Sequence, residues 1–288
     1  MKTKFIINPI SGSGENKMIE LAIKKYVNKD QFLYDIIYTK EKGHAKKITE
    51  KCIEEKYDLI IVGGGDGTIN EVISEIIFKN IAFGIIPIGS GNGLALHYNY
   101  KDPIKCIKNL NSSQIKQIDS GIINNYPFVN VSGIGFDAHI ANLFSKRKKR
   151  GLFNYIKLIF QEINYRAKKY TINYEDDTQE IDALLIAAAN GSQYGNHLKI
   201  SPKSKTDNGY LDYIIVEDMP KWNILYFLFL MAIGKIESSK FVTIIRCKQM
   251  TINTNKNYLH LDGEPKELEG EINIKIIPKS LKIFLPNE

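Results

Sequence analysis

Cysteine is scarce in this 288-residue chain: Cys52, Cys106 and Cys247 lie far apart and form no CxxC pair. That argues against a disulfide framework and a structural zinc site, and it fits a reducing, cytoplasmic compartment. The histidines His44, His97, His139, His197 and His260 lack metal-ligand spacing. Long apolar runs are missing too. The longest, Ile224–Ile233, is about half of the ~20 residues that a membrane span needs. The apolar run near the N-terminus is too short for a signal-peptide core. No GxxxxGK[ST] occurs, which disfavours a P-loop nucleotidase. Ser11 and Ser90 have no evident His or Asp partners, which disfavours a serine hydrolase. There is no internal repeat and no low-complexity stretch.

What is present is globular. Hydrophobic residues make up 43% and charged residues 25%, which excludes global disorder. The length suits one large domain or two of ordinary size. The net charge is +7. It is spread evenly, with 17 basic and 14 acidic residues in the first 120 and 22 and 18 in the rest. No nucleic-acid-binding domain stands out.

The first 110 residues alternate short apolar runs (Lys4–Ile7, Phe32–Tyr38, Asp58–Val62, Ala82–Ile86) with helical segments near Lys17–Val27, His44–Lys56, Thr68–Lys79 and Asp102–Leu110. This predicts βαβ units and a parallel sheet, with ligands at the carboxyl ends of its strands. After residue 119 the pattern becomes short alternating strands, which predicts a mostly antiparallel β-sandwich. Those strands are expected at Tyr126–Ser132, Lys169–Tyr174, Glu180–Ala189, Tyr210–Val216, Phe241–Arg246, Met250–Asn253, Glu271–Ile277 and Leu281–Leu285, with helices near Leu152–Ala167 and Lys221–Ile233. The expected domains are residues 1–119, α/β and rejoined by the last strand, and residues 120–288.

Three glycine-rich turns each follow a predicted strand. They are Asn8-Pro9-Ile10-Ser11-Gly12 with Gly14 behind it, Gly63-Gly64-Gly65-Asp66-Gly67-Thr68 followed by Asn70 and Glu71, and Pro87-Ile-Gly-Ser90-Gly-Asn92. A strand–glycine loop–helix turn presents backbone N–H groups to an anion, and glycine lets that backbone approach a phosphate closely. Three such turns on one sheet edge are far more telling than one. Asp66 inside a phosphate cradle makes sense when Mg²⁺ is shared with the phosphates. A dinucleotide site is a weaker alternative, since Gly89-x-Gly91-x-x-Leu94 is a degenerate fingerprint.

The ordered set of motifs resembles the diacylglycerol kinase catalytic family, which includes bacterial soluble lipid kinases, sphingosine kinases and ceramide kinases. Beyond the three turns, Gly133-Ile-Gly-Phe-Asp-Ala138 is similar to its GxGFDA segment. Asn190-Gly191 with Tyr194-Gly195, Pro202 with Asp207-Asn-Gly-Tyr-Leu-Asp212, and Asp262-Gly-Glu264 resemble its later motifs. The resemblance implies an N-terminal α/β nucleotide domain, a C-terminal β-sandwich and an active site between them. It implies that Asn8–Gly12 and Thr39 contact ATP, that Gly65–Glu71 with Gly64 hold its phosphates, and that Ser90 and Asn92 lie nearby. Asp66 would act through Mg²⁺, and Asp262 or Glu264 would be the general base for a lipid hydroxyl. Without the resemblance, Asp262-Gly-Glu-Pro265 also reads as a plain β-turn.

Two departures qualify the match. Bacterial members hold a structural Mg²⁺ partly through an Asp at the position of Asn208, with Lys205 and Tyr210 as backbone ligands; a neutral oxygen there weakens such a site. Gly93-Leu-Ala95 is closer to the sphingosine kinase version, which points toward a sphingoid or ceramide acceptor. The expected partner is a lipid at a membrane surface, contacted peripherally from the cytoplasm. The basic run Lys146–Arg150 or the apolar segment Trp222–Ile233 would make that contact, and sheet edges leave a homodimer open. An NAD kinase-like enzyme, which shares GGDG, and a non-catalytic nucleotide- or lipid-binding protein are the alternatives.

Overall fold

The computed structural model describes residues 1–12, 16–147, 151–254, 257–268 and 270–286. Gly14 and the basic residues Lys148, Lys149 and Arg150 lie outside the described residues. The chain forms two compact units, Met1–Ile118 with Lys279–Glu288, and Asp119–Pro278.

The first unit contains β1 (Lys2–Ile7), α1 (Asn16–Tyr26), β2 (Leu33–Tyr38), α2 (His44–Glu54), β3 (Leu59–Gly64), α3 (Asp66–Ile76), β4 (Ala82–Pro87), α4 (Gly93–His97) and α5 (Pro103–Asn109). Its sheet runs β2-β1-β3-β4 and then the end of the last strand, β16 (Ile272–Pro286), with every neighbour parallel. Parallel neighbours need crossovers, and the helices supply them. Every residue of β3 and β4 is buried, as expected of strands covered on both faces. Phe5, Ile7, Leu59, Ile61 and Ile86 pack with Ile19 and Ile23 of α1 and with Ile107 of α5. The start of α5 is fixed locally: Asp102 accepts the Ile104 and Lys105 N–H groups, and Pro103 occupies the first turn.

The second unit contains part of β5 (Ser113–Ile123), then β6 (Tyr126–Phe128), β7 (Val131–Gly135), α6 (Phe136–Ser145), α7 (Leu152–Gln161), β8 (Lys168–Tyr174), β9 (Asp177–Ala183), β10 (Leu185–Ala189), β11 (Leu211–Val216), α8 (Asn223–Ile233), β12 (Val242–Cys247), β13 (Gln249–Asn253), β14 (Asn257–Leu261), β15 (Glu264–Leu268) and the first half of β16. One sheet is antiparallel throughout, in the order β12-β11-β10-β7-β14-β15. The other joins β16, β13, β8 and β9 in antiparallel pairs. A single apolar cluster unites Ile134, Ile186 and Tyr213 of the first sheet with Tyr170, Ile252 and Ile274 of the second. This is the β-sandwich core.

Several elements differ from the sequence expectation. The run Glu180–Ala189 is two strands in different sheets, because the chain crosses over at Leu184. Glu271–Ile277 and Leu281–Leu285 are one strand, β16. Tyr126–Ser132 divides into β6 and the start of β7, and α6, β14 and β15 are additional. Among the described residues, no helix is long and apolar enough to cross a membrane.

Candidate active site

In the first unit, the parallel strands bring the three glycine turns into mutual contact. The Asn8 N–H donates to the Gly63 carbonyl at 2.8 Å, and Asn8 Nδ2 donates to Thr68 Oγ1 at 3.0 Å. Asn8 Oδ1 accepts the Ile10 N–H at 3.1 Å, bending Asn8-Pro9-Ile10 into a turn. Gly12 has φ +70°, and a Cβ there would lie 2.5 Å from the Ile88 carbonyl oxygen. A Cβ on Gly89 would collide with the Gly65 Cα. Two backbones therefore meet where any side chain would separate them. Asn92 fixes the third turn by accepting the Gly89 N–H and donating to the Gly89 carbonyl, at 2.9 and 2.8 Å.

Asp66 is the first residue of α3, and its Oδ1 accepts the Leu94 N–H of α4 at 3.3 Å. The α3 N-cap, Gly65, makes no side-chain capping hydrogen bond. The first N–H groups of α3 are thus not capped by that residue, and their partial positive charge favours an anion. These residues fit a polyphosphate, and the carboxylate of Asp66 is a hard oxygen donor of the kind Mg²⁺ prefers.

Glu71 does something different. Its two oxygens accept the N–H groups of Gly43 and Ala45 at 2.7 and 3.1 Å. The carboxylate caps the start of α2, which has no capping side chain of its own. The Thr39 N–H donates to the Ile7 carbonyl at 2.9 Å, beside the Asn8 turn. Ser90 is exposed at the tip of the third turn.

In the second unit, Asp262-Gly263 is the two-residue turn joining β14 to β15, with Leu261 paired to Glu264. Both turn residues have positive φ, 49° and 88°, which is the requirement of a type I′ hairpin. The Asp262 carboxylate accepts three backbone N–H groups, those of Val129, Asn130 and Val131, at 3.0, 2.8 and 3.1 Å. Asp262 thereby fastens the hairpin, and its oxygens are engaged. Glu264 is half-buried at the start of β15.

Behind this turn lies a cluster that sequence spacing did not single out. His260 Nδ1 accepts the Gly263 N–H at 3.1 Å, while Nε2 is 3.1 Å from Asp137 Oδ2. Tyr194 Oη donates to the same Asp137 oxygen at 2.8 Å. Burial and the nearby Asp137 charge raise the Tyr194 phenol well above its ordinary pKa. Asp137 and Tyr194 also line a cavity of about 60 Å³, otherwise apolar, with Leu198, Phe227, Leu228 and Met231 among its walls. The signal in the sequence was the GFDA segment and the Tyr194-Gly195 pair, but nothing local pairs them with His260.

The residues named for a second metal fit one poorly. Asn208 Oδ1 accepts the Tyr210 N–H at 3.0 Å, and the Gly209 N–H donates to Asp119 at 2.8 Å. Among the described residues, no three His, Cys, Asp or Glu side chains gather to hold a metal ion. The loop is instead tied by Asp212, which accepts from Ser201 at 2.9 Å, Ser204 at 2.6 Å and Arg246 at 2.6 and 3.1 Å.

Comparison with known proteins gives the family of both units. Residues 2–123 match the family described as "Diacylglycerol kinase catalytic domain". Residues 130–285 match "YegS C-terminal NAD kinase beta sandwich-like domain". A Staphylococcus saprophyticus protein named diacylglycerol kinase is 27% identical over 297 residues, spanning 100% of this chain and 96% of its own. A Staphylococcus epidermidis protein of the same name is 27% identical over 299 residues, spanning 100% and 93%. A crystal structure of a diacylglycerol kinase from Bacillus anthracis str. Sterne has a TM-score of 0.76 at 24% identity, over 99% of this chain and 97% of that one, a likeness of fold.

Proposed function

The chain belongs to the diacylglycerol kinase catalytic family as a lipid kinase, and on that premise we propose that it moves the γ-phosphoryl group of Mg-ATP onto the free hydroxyl of diacylglycerol. The observation that carries this reading is the convergence of three glycine turns at the start of α3. The names of the staphylococcal relatives support diacylglycerol as the acceptor.

Phosphoryl transfer needs positioning, charge neutralisation and an aligned nucleophile more than covalent chemistry. The backbone of Asn8–Gly12, Gly64–Thr68 and Gly89–Asn92 would position the nucleotide, and Asn8 and Thr68 hold two of these turns together. Asp66 would hold Mg²⁺, which supplies charge neutralisation when bound. Glu264 is the better general base. Asp262 already accepts three N–H groups, which disperse its charge and make it the weaker proton acceptor of the two.

The apolar cavity of the second unit suits an acyl chain in chemistry. Its volume of about 60 Å³ is small, so entry of a chain requires the α8 side chains to give way. The outer face of α8 is apolar as well. Trp222 is 78% exposed, and Leu225, Tyr226, Phe229 and Ile233 are exposed beside it. Lys221 precedes the helix and Lys235 follows it. An apolar stripe flanked by lysines suits the interface of an anionic membrane, so the kinase would meet its substrate there peripherally.

The test is an ADP-release assay with ATP, Mg²⁺ and mixed micelles of diacylglycerol, ceramide, sphingoid base or monoacylglycerol, with NAD as a soluble acceptor. ADP release that depends on diacylglycerol supports the proposal. Release that depends on ceramide or a sphingoid base moves the acceptor, and release with NAD alone overturns the lipid reading.

A further inference from the structure

The hairpin that carries Glu264 is gripped from two sides, and only one grip comes from the Asp-Gly-Glu segment itself. The other is His260, which is 2% exposed. Its Nδ1 accepts the Gly263 N–H, so in the neutral ring the proton sits on Nε2, facing Asp137. Asp137 is 5% exposed and is satisfied by three donors: the Ala138 N–H at 2.8 Å, Tyr194 Oη at 2.8 Å and His260 Nε2 at 3.1 Å. It also lies in the first turn of α6, where the helix N-terminus favours its negative charge. The His260 carbonyl accepts the Ser132 hydroxyl from β7. Ring and backbone of His260 are therefore both fixed.

We propose that His260, oriented by Asp137 and Tyr194, is a positioning residue that sets the Asp262-Gly263 turn and through it the placement of Glu264. The proposal rests on the reading of Glu264 as the general base. Two features carry it beyond packing. The Gly263 N–H lies at the centre of the turn, one residue from Glu264, so losing its acceptor acts directly on that residue's backbone. Two members of the relay, Tyr194 and Asp137, also line the apolar cavity, and the burial of Asp137 and His260 excludes water and strengthens the hydrogen bonds between them. Geometric tolerance at a reacting centre is narrow, so a small displacement of the base is costly in rate.

Two substitutions separate the two ring nitrogens. His260→Asn places an amide oxygen near the Nδ1 position, keeping an acceptor for the Gly263 N–H and losing the reach to Asp137. His260→Gln keeps a donor toward Asp137 and loses the acceptor on the turn. The expected result is a kcat for His260→Gln lower by at least about tenfold, with KM for ATP and lipid within about twofold, the signature of an interaction that matters in the transition state. His260→Asn should keep kcat within about threefold of wild type. An equal loss in both variants, a loss confined to KM, or a loss that follows melting temperature alone would overturn the proposal. A second readout does not depend on activity or on folding of the variants. Imidazole ¹⁵N spectra of the wild-type protein, assigned through its own backbone-to-ring correlations, should give the Nε2–H tautomer for His260 with Nδ1 as acceptor. The Nδ1–H tautomer would overturn the relay. If wild-type protein phosphorylates no lipid, the kinase reading fails, and the tautomer still decides whether His260 holds the turn.

Discussion

The carboxylate of Asp262 accepts the backbone N–H of Asn130 at 2.8 Å, with the N–H groups of Val129 and Val131 on either side. A side chain with this many donors around it is an anchor. Its neighbour Glu264, at the first position of the following strand, is the general base of the proposed reaction. On the proposed reading, the two acidic residues of one short motif divide into a structural and a chemical part.

That division gives a first prediction. Asp262→Asn replaces one charged acceptor oxygen with an amide that presents donors to donors. It should destabilise the second unit by about 1.5–3 kcal/mol, the usual worth of a hydrogen bond to a charged group. Glu264→Gln should leave the melting temperature near wild type while lowering kcat by about 10²–10⁴, the usual contribution of a general base. Thermal melts and steady-state kinetics on both variants separate the two roles.

At the nucleotide turns, Gly89→Ala would force apart backbones that now meet at Gly65. The cost should be about 1–3 kcal/mol of stability, typical of overpacking, together with weaker binding of ATP by calorimetry. Asp66→Asn removes a charge without removing volume. It should lower turnover at least about tenfold and raise the Mg²⁺ concentration needed for half-maximal rate, with the fold unchanged by circular dichroism.

Asp212 predicts an acid limb in stability. Burial pushes its carboxyl upward, but hydrogen bonds from Arg246, Ser204 and Ser201, with the Arg246 charge, outweigh it and hold the group below its ordinary value. A carboxylate whose folded pKa is depressed adds stability above its unfolded value, about 3.9, and that stability is lost as pH falls through the lower folded value. Denaturant midpoints should therefore drop below about pH 4, and Asp212→Asn should flatten that limb while lowering stability at neutral pH.

The single tryptophan would report the proposed membrane contact. Trp222 stands exposed at the start of the apolar face of α8. Its emission should shift to the blue when vesicles containing phosphatidylglycerol are added, and Phe229→Gln with Leu225→Gln should abolish the shift. An unchanged spectrum with anionic vesicles would remove α8 from the interface.

The sequence made the nucleotide half legible because its signals are local. The continuous apolar stretch of β3 and the glycines after it occupy adjacent positions, and the strand period fixes where they emerge. The sandwich half was harder. The run from Glu180 to Ala189 is apolar toward its end without a break, so nothing local marks the crossing at Leu184 between sheets. The strands β14 and β15 are five residues each and flank an Asp-Gly turn, so they read as a turn alone. Roles made by distant contacts were hidden for the same reason. Glu71 looks like a phosphate-loop residue until the N–H groups of Gly43 and Ala45 fold onto it, and His260 looks like an isolated histidine until Asp137 and Gly263 close on its two nitrogens.

Transfer of γ-³²P from ATP into organic-extractable lipid measures the acceptor chemistry directly. Wild-type protein with Mg²⁺ and diacylglycerol micelles should label a single lipid product, and Glu264→Gln should label it at least about a hundredfold more slowly. Label that appears only in a soluble acceptor, or a Glu264→Gln rate equal to wild type, would contradict it.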